Sequence, residues 1–222
     1  MIEEEFEFPM VTASKSSLYR RKLVWGFGRN NACYITQPVI EGKKIICPYY
    51  RRWMDMLKRC YSIRYLEKYP TYKNCEVCKE WHTFSNFRQW METQDWNGKQ
   101  LDKDIILPNN KLYSPDTCVF VSSQVNSLLL DCGKSKGKCK QGVCFYRNSG
   151  NFLAHCRDSV GKKMYLGTFP TEALAYEAYV HYKHALILKV ANEQEDERVK
   201  NGLLLHANIL LESLNEENDV LL

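Results

Sequence analysis

Apolar positions along this chain alternate in some stretches with period two and recur in others every three to four residues, separating strands from helices. The most informative run spans residues 142–190. In residues 151–157, Phe152, Ala154 and Cys156 alternate with Asn151, Leu153, His155 and Arg157, which predicts a half-buried strand. Residues 143–147 and 162–166 read as its partners, with Met164 and Leu166 facing inward and Lys163 and Tyr165 outward. Asn148-Ser149-Gly150 and Asp158-Ser159-Val160-Gly161 supply the intervening turns. Pro170 and Thr171 then open a helix with a stripe of Ala175, Tyr176, Ala178, Tyr179, Tyr182 and Leu186. One helix covers one face of such a sheet. The other face is left with Tyr146, Asn151, His155, Arg157, Lys163 and Tyr165, a mixture of cations, hydrogen-bonding groups and flat rings suited to a nucleic-acid groove.

Upstream, Pro48 starts a helix predicted over residues 48–61, its stripe being Trp53, Met56, Leu57 and Cys60, with Arg51, Arg52, Lys58 and Arg59 elsewhere. A second helix over 85–92 turns Phe84, Phe87, Trp90 and Met91 inward, and Trp53, Trp81, Trp90 and Trp96 are assigned to the core. Residues 24–47 read as short strands, one at 33–39, with a turn at Glu41-Gly42-Lys43; residues 1–20 read as a flexible lead-in. Residues 98–130 give strand (101–107), polar loop through Asn110 and Pro115, strand (118–121) and helix (122–130), capped by Ser122 or Ser123. A last helix over 199–214 offers Leu203, Ile209, Leu210 and Leu214 for packing or for a homo-oligomer, and 215–222 is expected to fray.

The expected fold is α+β: a ββα unit with flanking helices, then a three-stranded antiparallel sheet packed on one helix. The expected divisions are an N-terminal extension with short strands (1–47), a helical and ββα domain (48–131), a basic linker (132–141), the sheet domain (142–192) and an acidic C-terminal helix and tail (193–222).

Composition adds constraints. A hydrophobic fraction of 45% and aromatic fraction of 13% describe a folded chain. No apolar run approaches the ~20 residues of a membrane span, and Met1-Ile2-Glu3-Glu4-Glu5 lacks the basic start of a signal peptide. A soluble cytoplasmic protein with no membrane partner is the expectation. Ten scattered cysteines fit reduced thiols. Cys75-Glu76-Val77-Cys78 has half the spacing of a zinc site, but no second such pair follows. Cys47, Cys60, His82, Cys118 and Cys132 would have to converge to complete it, and structural thiols are expected instead of zinc. The net charge of +5 is polarised. Residues 133–166 carry eight Lys and Arg against Asp158 alone, while residues from Ala191 onward carry eight acids and two bases. The basic block, with Arg147 and Lys162 beside the strands, coincides with the proposed groove-facing sheet. Within it, Lys134, Lys136, Lys138 and Lys140 read as a linker that follows phosphates.

The segments GVCFYRNSGNFLAHCRD (142–158) and KKMYLGTFPTEALAYEAY (162–179) resemble the ethylene-response-factor (apetala/ERF) DNA-binding domain, most specifically from Tyr165-Leu166-Gly167-Thr168-Phe169 to Ala178-Tyr179. The resemblance implies a sheet lying in the major groove of double-stranded DNA, with Arg157, Lys163 and Tyr165 as contacts. Cys144 and Tyr146 replace arginines of that family, His155 replaces a glutamate, and one residue is inserted near Asn148. The plant target sequence therefore does not carry over. The order in 98–130 resembles the HNH nuclease motif. That resemblance implies catalytic and metal-binding roles for Asp102, Asp104 and Asn126 around Mg2+ or Mn2+, with Lys103 in the neighbourhood of the general base. No histidine lies between His82 and His155, so the family's general base is missing, a loss of ~10²–10⁴ in rate. Together the two motifs resemble phage and mobile-element HNH homing endonucleases. Three readings stay open: a metal-dependent endonuclease with a degenerate site, a non-catalytic DNA-binding or regulatory protein, and a phage interaction protein acting on a host factor.

Overall fold

The computed structural model describes residues 8–129 and 139–219, with no side chains for 215–219. The chain is α+β. It divides into two compact units, one of residues up to Asn97 with Asn110–Cys118, the other of Gly98–Asn109 with Val119 onward. The stretch 98–130 therefore contributes to both.

In the first unit α1 (Lys15–Tyr19) is capped by the Ser14 side chain, which accepts the Ser17 N–H. Residues 8–20, expected to be loose, are tied down: the Ala13 N–H donates to the Cys33 carbonyl at 3.0 Å and the Ile35 N–H to the Val11 carbonyl at 2.8 Å. The strand expected at 33–39 reduces to a single bridge between Thr12 and Tyr34. Beyond it, β1 (Val39–Ile40) and β2 (Lys43–Lys44) form a hairpin about Glu41-Gly42, whose φ values of 50° and 73° are those of a left-handed two-residue turn. The helix α2 (Pro48–Tyr61) buries Tyr50, Trp53, Met56, Leu57 and Cys60, its whole predicted stripe. The Trp53 indole donates to the Trp81 carbonyl at 2.6 Å, which allows so large an amphipathic ring to be fully buried. A short α3 (Ile63–Lys68), capped by Ser62, follows unforeseen. Next come β3 (Glu76–Val77) and α4 (Phe84–Glu92), which buries Phe84, Phe87 and Met91. Trp53 and Trp81 are core residues, whereas Trp90 and Trp96 are only half-buried.

The second unit begins with β4 (Gln100–Asp102). The strand expected to reach residue 107 stops there because Asp102 Oδ1 accepts the backbone N–H of Asp104 at 2.7 Å and of Ile105 at 2.9 Å, bending the chain away. Residues beyond this bend return to the first unit as β5 (Leu112–Tyr113), parallel to β3. Back in the second unit, β6 (Val119–Val121) lies antiparallel to β4. Its continuation, α5 (Ser123–Leu128), is capped by Ser122, whose side chain accepts the Val125 N–H. The sheet β7 (Val143–Tyr146), β8 (Asn151–Arg157), β9 (Lys163–Phe169) is antiparallel in that order, and α6 (Glu172–Asn192) and α7 (Glu197–Asp219) complete the unit.

Helix α6 serves two cores, which is why its apolar residues outrun the expected stripe. Its first half packs Ala175 and Tyr179 under the sheet, with Val143, Ala154 and Cys156. Its second half packs Leu186, Ile187, Val190 and Ala191 with Ile105, Val119, Val121, Val125 and Leu128, and with Val199, Leu203 and Ala207 of α7. Leu203 and Leu214 are buried within the unit and Leu210 is half-buried, while Ile209 is exposed. Gly202 is required here: a side chain on it would run into the Ile105 carbonyl.

Among the described residues no helix is long and apolar enough to cross a membrane. Of the expected basic linker, residues 132–138, with Lys134, Lys136 and Lys138, lie outside the described residues. Lys140 is anchored: its N–H donates to Glu172 Oε1 at 2.6 Å, and its ammonium sits 4.6 Å from the centre of the Tyr176 ring.

Candidate nucleic-acid interface

The pairing of the three strands defines which side chains share a face. Tyr146 stands opposite Asn151, His155 opposite Tyr165, and Arg157 opposite Lys163. Alternation puts all six on the side away from α6, whose core takes Val143, Ala154 and Cys156. Between Ala154 and His155 the register shifts, and the extra residue falls in β9. Gly167 sits at this irregularity with φ of 143°, a backbone state open to glycine and hostile to other residues. The bulge lets Leu166 and Phe169 pack toward the helix while Tyr165 and Thr168 point out, their hydroxyls 2.6 Å apart.

The face is electropositive. Arg157, Lys163 and Lys162 are exposed, as are Arg147 and Tyr165. Arg147 lies in the turn after β7, one residue beyond the strand end. Burial first, then the charges of Lys163 and Arg157, push the His155 imidazole below its ordinary value. The Arg157 guanidinium donates to the Gly161 carbonyl at 2.8 Å, which orients it over the β8–β9 turn. That turn is held independently by Asp158 Oδ1, which accepts from the N–H groups of Val160 and Lys162. Thr168 and the exposed Cys144 also occupy this face; the one-residue slip at Gly167 hid the first, while the second shares the alternation of Tyr146.

The residues assigned to an HNH-like centre have other partners. Asp102 caps its own turn, and burial raises its carboxyl above the ordinary value despite those two backbone bonds. Lys103 is buried and its ammonium donates to Asp104 Oδ1 at 2.6 Å. Asn126 donates to Gln100 Oε1 at 2.6 Å, bracing α5 against β4. Mg2+ asks for near-octahedral oxygens aimed at one point. Asp102, Asp104 and Asn126 each have a protein partner, and among the described residues no cluster of three or more His, Cys, Asp or Glu is arranged to hold a metal. Cys75 is buried, and burial pushes the half-buried Cys78 thiol up.

Sequence reading missed His206. From α7 its Nε2 lies 2.9 Å from the Asp104 carbonyl oxygen, 102 residues away in the chain. A carbonyl only accepts, so in this contact Nε2 is the donor. No local spacing could have signalled the pairing, since it depends on α7 folding back over the bend after β4.

Comparison with family models, curated proteins and solved structures finds no match to this chain.

Proposed function

We propose that this chain binds duplex DNA through the open face of β7–β9 and that the β4–β6–α5 segment serves as a brace. The observation carrying this reading is the register that gathers Tyr146, Asn151, His155, Arg157, Lys163 and Tyr165 on one face while α6 fills the other. Strands lie ~4.8 Å apart, so three span about 10 Å, which suits a major groove ~12 Å wide. Arg157 and Lys163 at one end supply phosphate contacts. Asn151, His155 and Tyr165 supply the donors, acceptors and flat surface that read base edges. The partners of Asp102, Asp104 and Asn126 support the brace.

A second reading, in which the unit also cuts DNA, is favoured by one observation: α7 brings an imidazole, that of His206, to the loop that bears Asp104, with Nε2 2.9 Å from the Asp104 carbonyl oxygen. The two are separated by one experiment on the full chain. Anisotropy with a random-sequence 20-base-pair duplex should show binding that weakens steeply between 50 and 200 mM salt, and the same protein should leave supercoiled plasmid intact with Mg2+ or Mn2+ from pH 7 to pH 9. Absence of duplex binding refutes the interface. Nicking that is lost in both His206→Ala and Asp104→Ala refutes the brace and establishes the nuclease.

A further inference from the structure

Residues 8–40 contain Lys15, Arg20, Arg21, Lys22 and Arg29 and no Asp or Glu. Inside this cationic stretch Val24 and Gly28 exchange two backbone hydrogen bonds, at 2.8 and 2.9 Å, closing a tight loop with Trp25-Gly26-Phe27 at its tip. Trp25 has φ of 52°, a left-handed state unusual for a bulky residue, and Gly26 follows at 80°. The loop holds both rings in solvent, Trp25 40% and Phe27 50% exposed.

The platform beneath is rigid. Phe27 stacks on Tyr61 at 3.9 Å between ring centres and 18° between planes, with the His82 ring edge-on at 5.9 Å. Tyr61 is itself fixed, its hydroxyl 3.2 Å from His82 Nε2 and accepting the Val77 N–H at 3.1 Å. Gly28 lies so close to Trp53 and Leu57 that no side chain fits, and the Arg29 N–H donates to the His82 carbonyl at 2.7 Å. Arg21 points inward to the Tyr34 carbonyl at 2.7 Å. Arg20, Lys22 and Arg29 are exposed and flank the loop in the chain, the Arg20 guanidinium bonding back to Ser16.

We infer that the Trp25–Phe27 turn is a stacking site for an unpaired base of single-stranded DNA, with Arg20, Lys22 and Arg29 attracting the flanking phosphates. A base inside a duplex has both faces covered by its neighbours, so a fixed, outward ring recruits one only when it is unstacked. The charge of one sign matches a polyanion. The site belongs to the first unit and stands without the sheet reading.

The test is fluorescence anisotropy of the full chain with labelled dT12, with U12 and the random duplex measured in parallel. Trp25→Gly removes the ring and places at this φ the residue that most readily adopts it, so the turn persists; Phe27→Ala is the second variant. Each should weaken dT12 binding by about 5- to 150-fold, the range for loss of one base–aromatic stack, while Trp25→Phe keeps most of the affinity. Arg157→Ala with Lys163→Ala should lower dT12 affinity far less than duplex affinity. Unchanged dT12 affinity in folded Trp25→Gly and Phe27→Ala overturns the proposal, and so does U12 binding more tightly than dT12 through the same rings. Unmodified protein that binds dT12 but not the duplex would sink the sheet reading alone.

Discussion

Replacing Arg157 and Lys163 together with alanine should flatten the salt dependence of duplex binding, and the size of the effect follows from the structure. The two residues face each other across β8 and β9 at one end of the open face. If each neutralises one phosphate, its loss lowers the log–log slope by ~0.9, about 1.8 for the pair. Over the fourfold change from 50 to 200 mM salt, the variant would then lose about 12-fold less affinity than the wild type. The fold should survive. Arg157 gives up one exposed hydrogen bond to Gly161, worth about 0.5–1.5 kcal/mol, while Asp158 still holds the turn through Val160 and Lys162. An internal control accompanies the variant: with both like charges removed, the His155 imidazole should rise toward its ordinary value, read by NMR titration. Anisotropy across a salt series measures the slope. An unchanged slope in a protein whose His155 has shifted as expected would refute the placement of phosphates on this face.

Gly202→Ala should lower stability by about 1–3 kcal/mol from overpacking against the Ile105 carbonyl, less the ~1 kcal/mol alanine gains in a helix, seen as a lower urea midpoint; a stabilised variant would contradict the packing of α7 on the bend after β4. Asp102→Ala should destabilise by about 1–3 kcal/mol by orphaning two backbone donors, whereas Asp102→Asn keeps an acceptor and should stay within about 1 kcal/mol; equal losses would contradict the turn-capping role. His155 favours its neutral form in the folded protein, so the folded state binds fewer protons than the unfolded one as pH falls through the ordinary value of 6.5. Stability should therefore decline below that pH, and duplex affinity should rise, since phosphate favours the charged ring; His155→Gln should remove both trends, measured by denaturation and anisotropy from pH 7.5 to 5.5.

Where one local rule dominated, the fold was legible from sequence. Pro48 at the first turn and the stripe Trp53, Met56, Leu57, Cys60 mark α2 at both ends, and strict alternation marks β8 from Asn151 to Arg157. Legibility failed where a side chain competed with the backbone or where distant segments met. Asp102 ends β4 early by capping its own turn. The pairing of β5 with β3 sends residues 110–118 into the first unit and leaves its neighbours in the second, which a linear division cannot express. The open face was readable because period two sorts its residues, up to the bulge at Gly167. His206 was not, because only the folding of α7 brings it to Asp104. The Trp25–Phe27 turn escaped notice since three residues carry no period at all.

The central claim, that duplex DNA docks on the open face of β7–β9, is tested most directly by NMR. The 15N-labelled full chain would be titrated with a random-sequence duplex at low salt. The account predicts the largest shifts at Tyr146, Asn151, His155, Lys163 and Tyr165, with Ala175 and Tyr179 beneath the sheet little changed. Shifts confined to α6 and α7, or absent from β8 and β9 while the duplex binds, would contradict it.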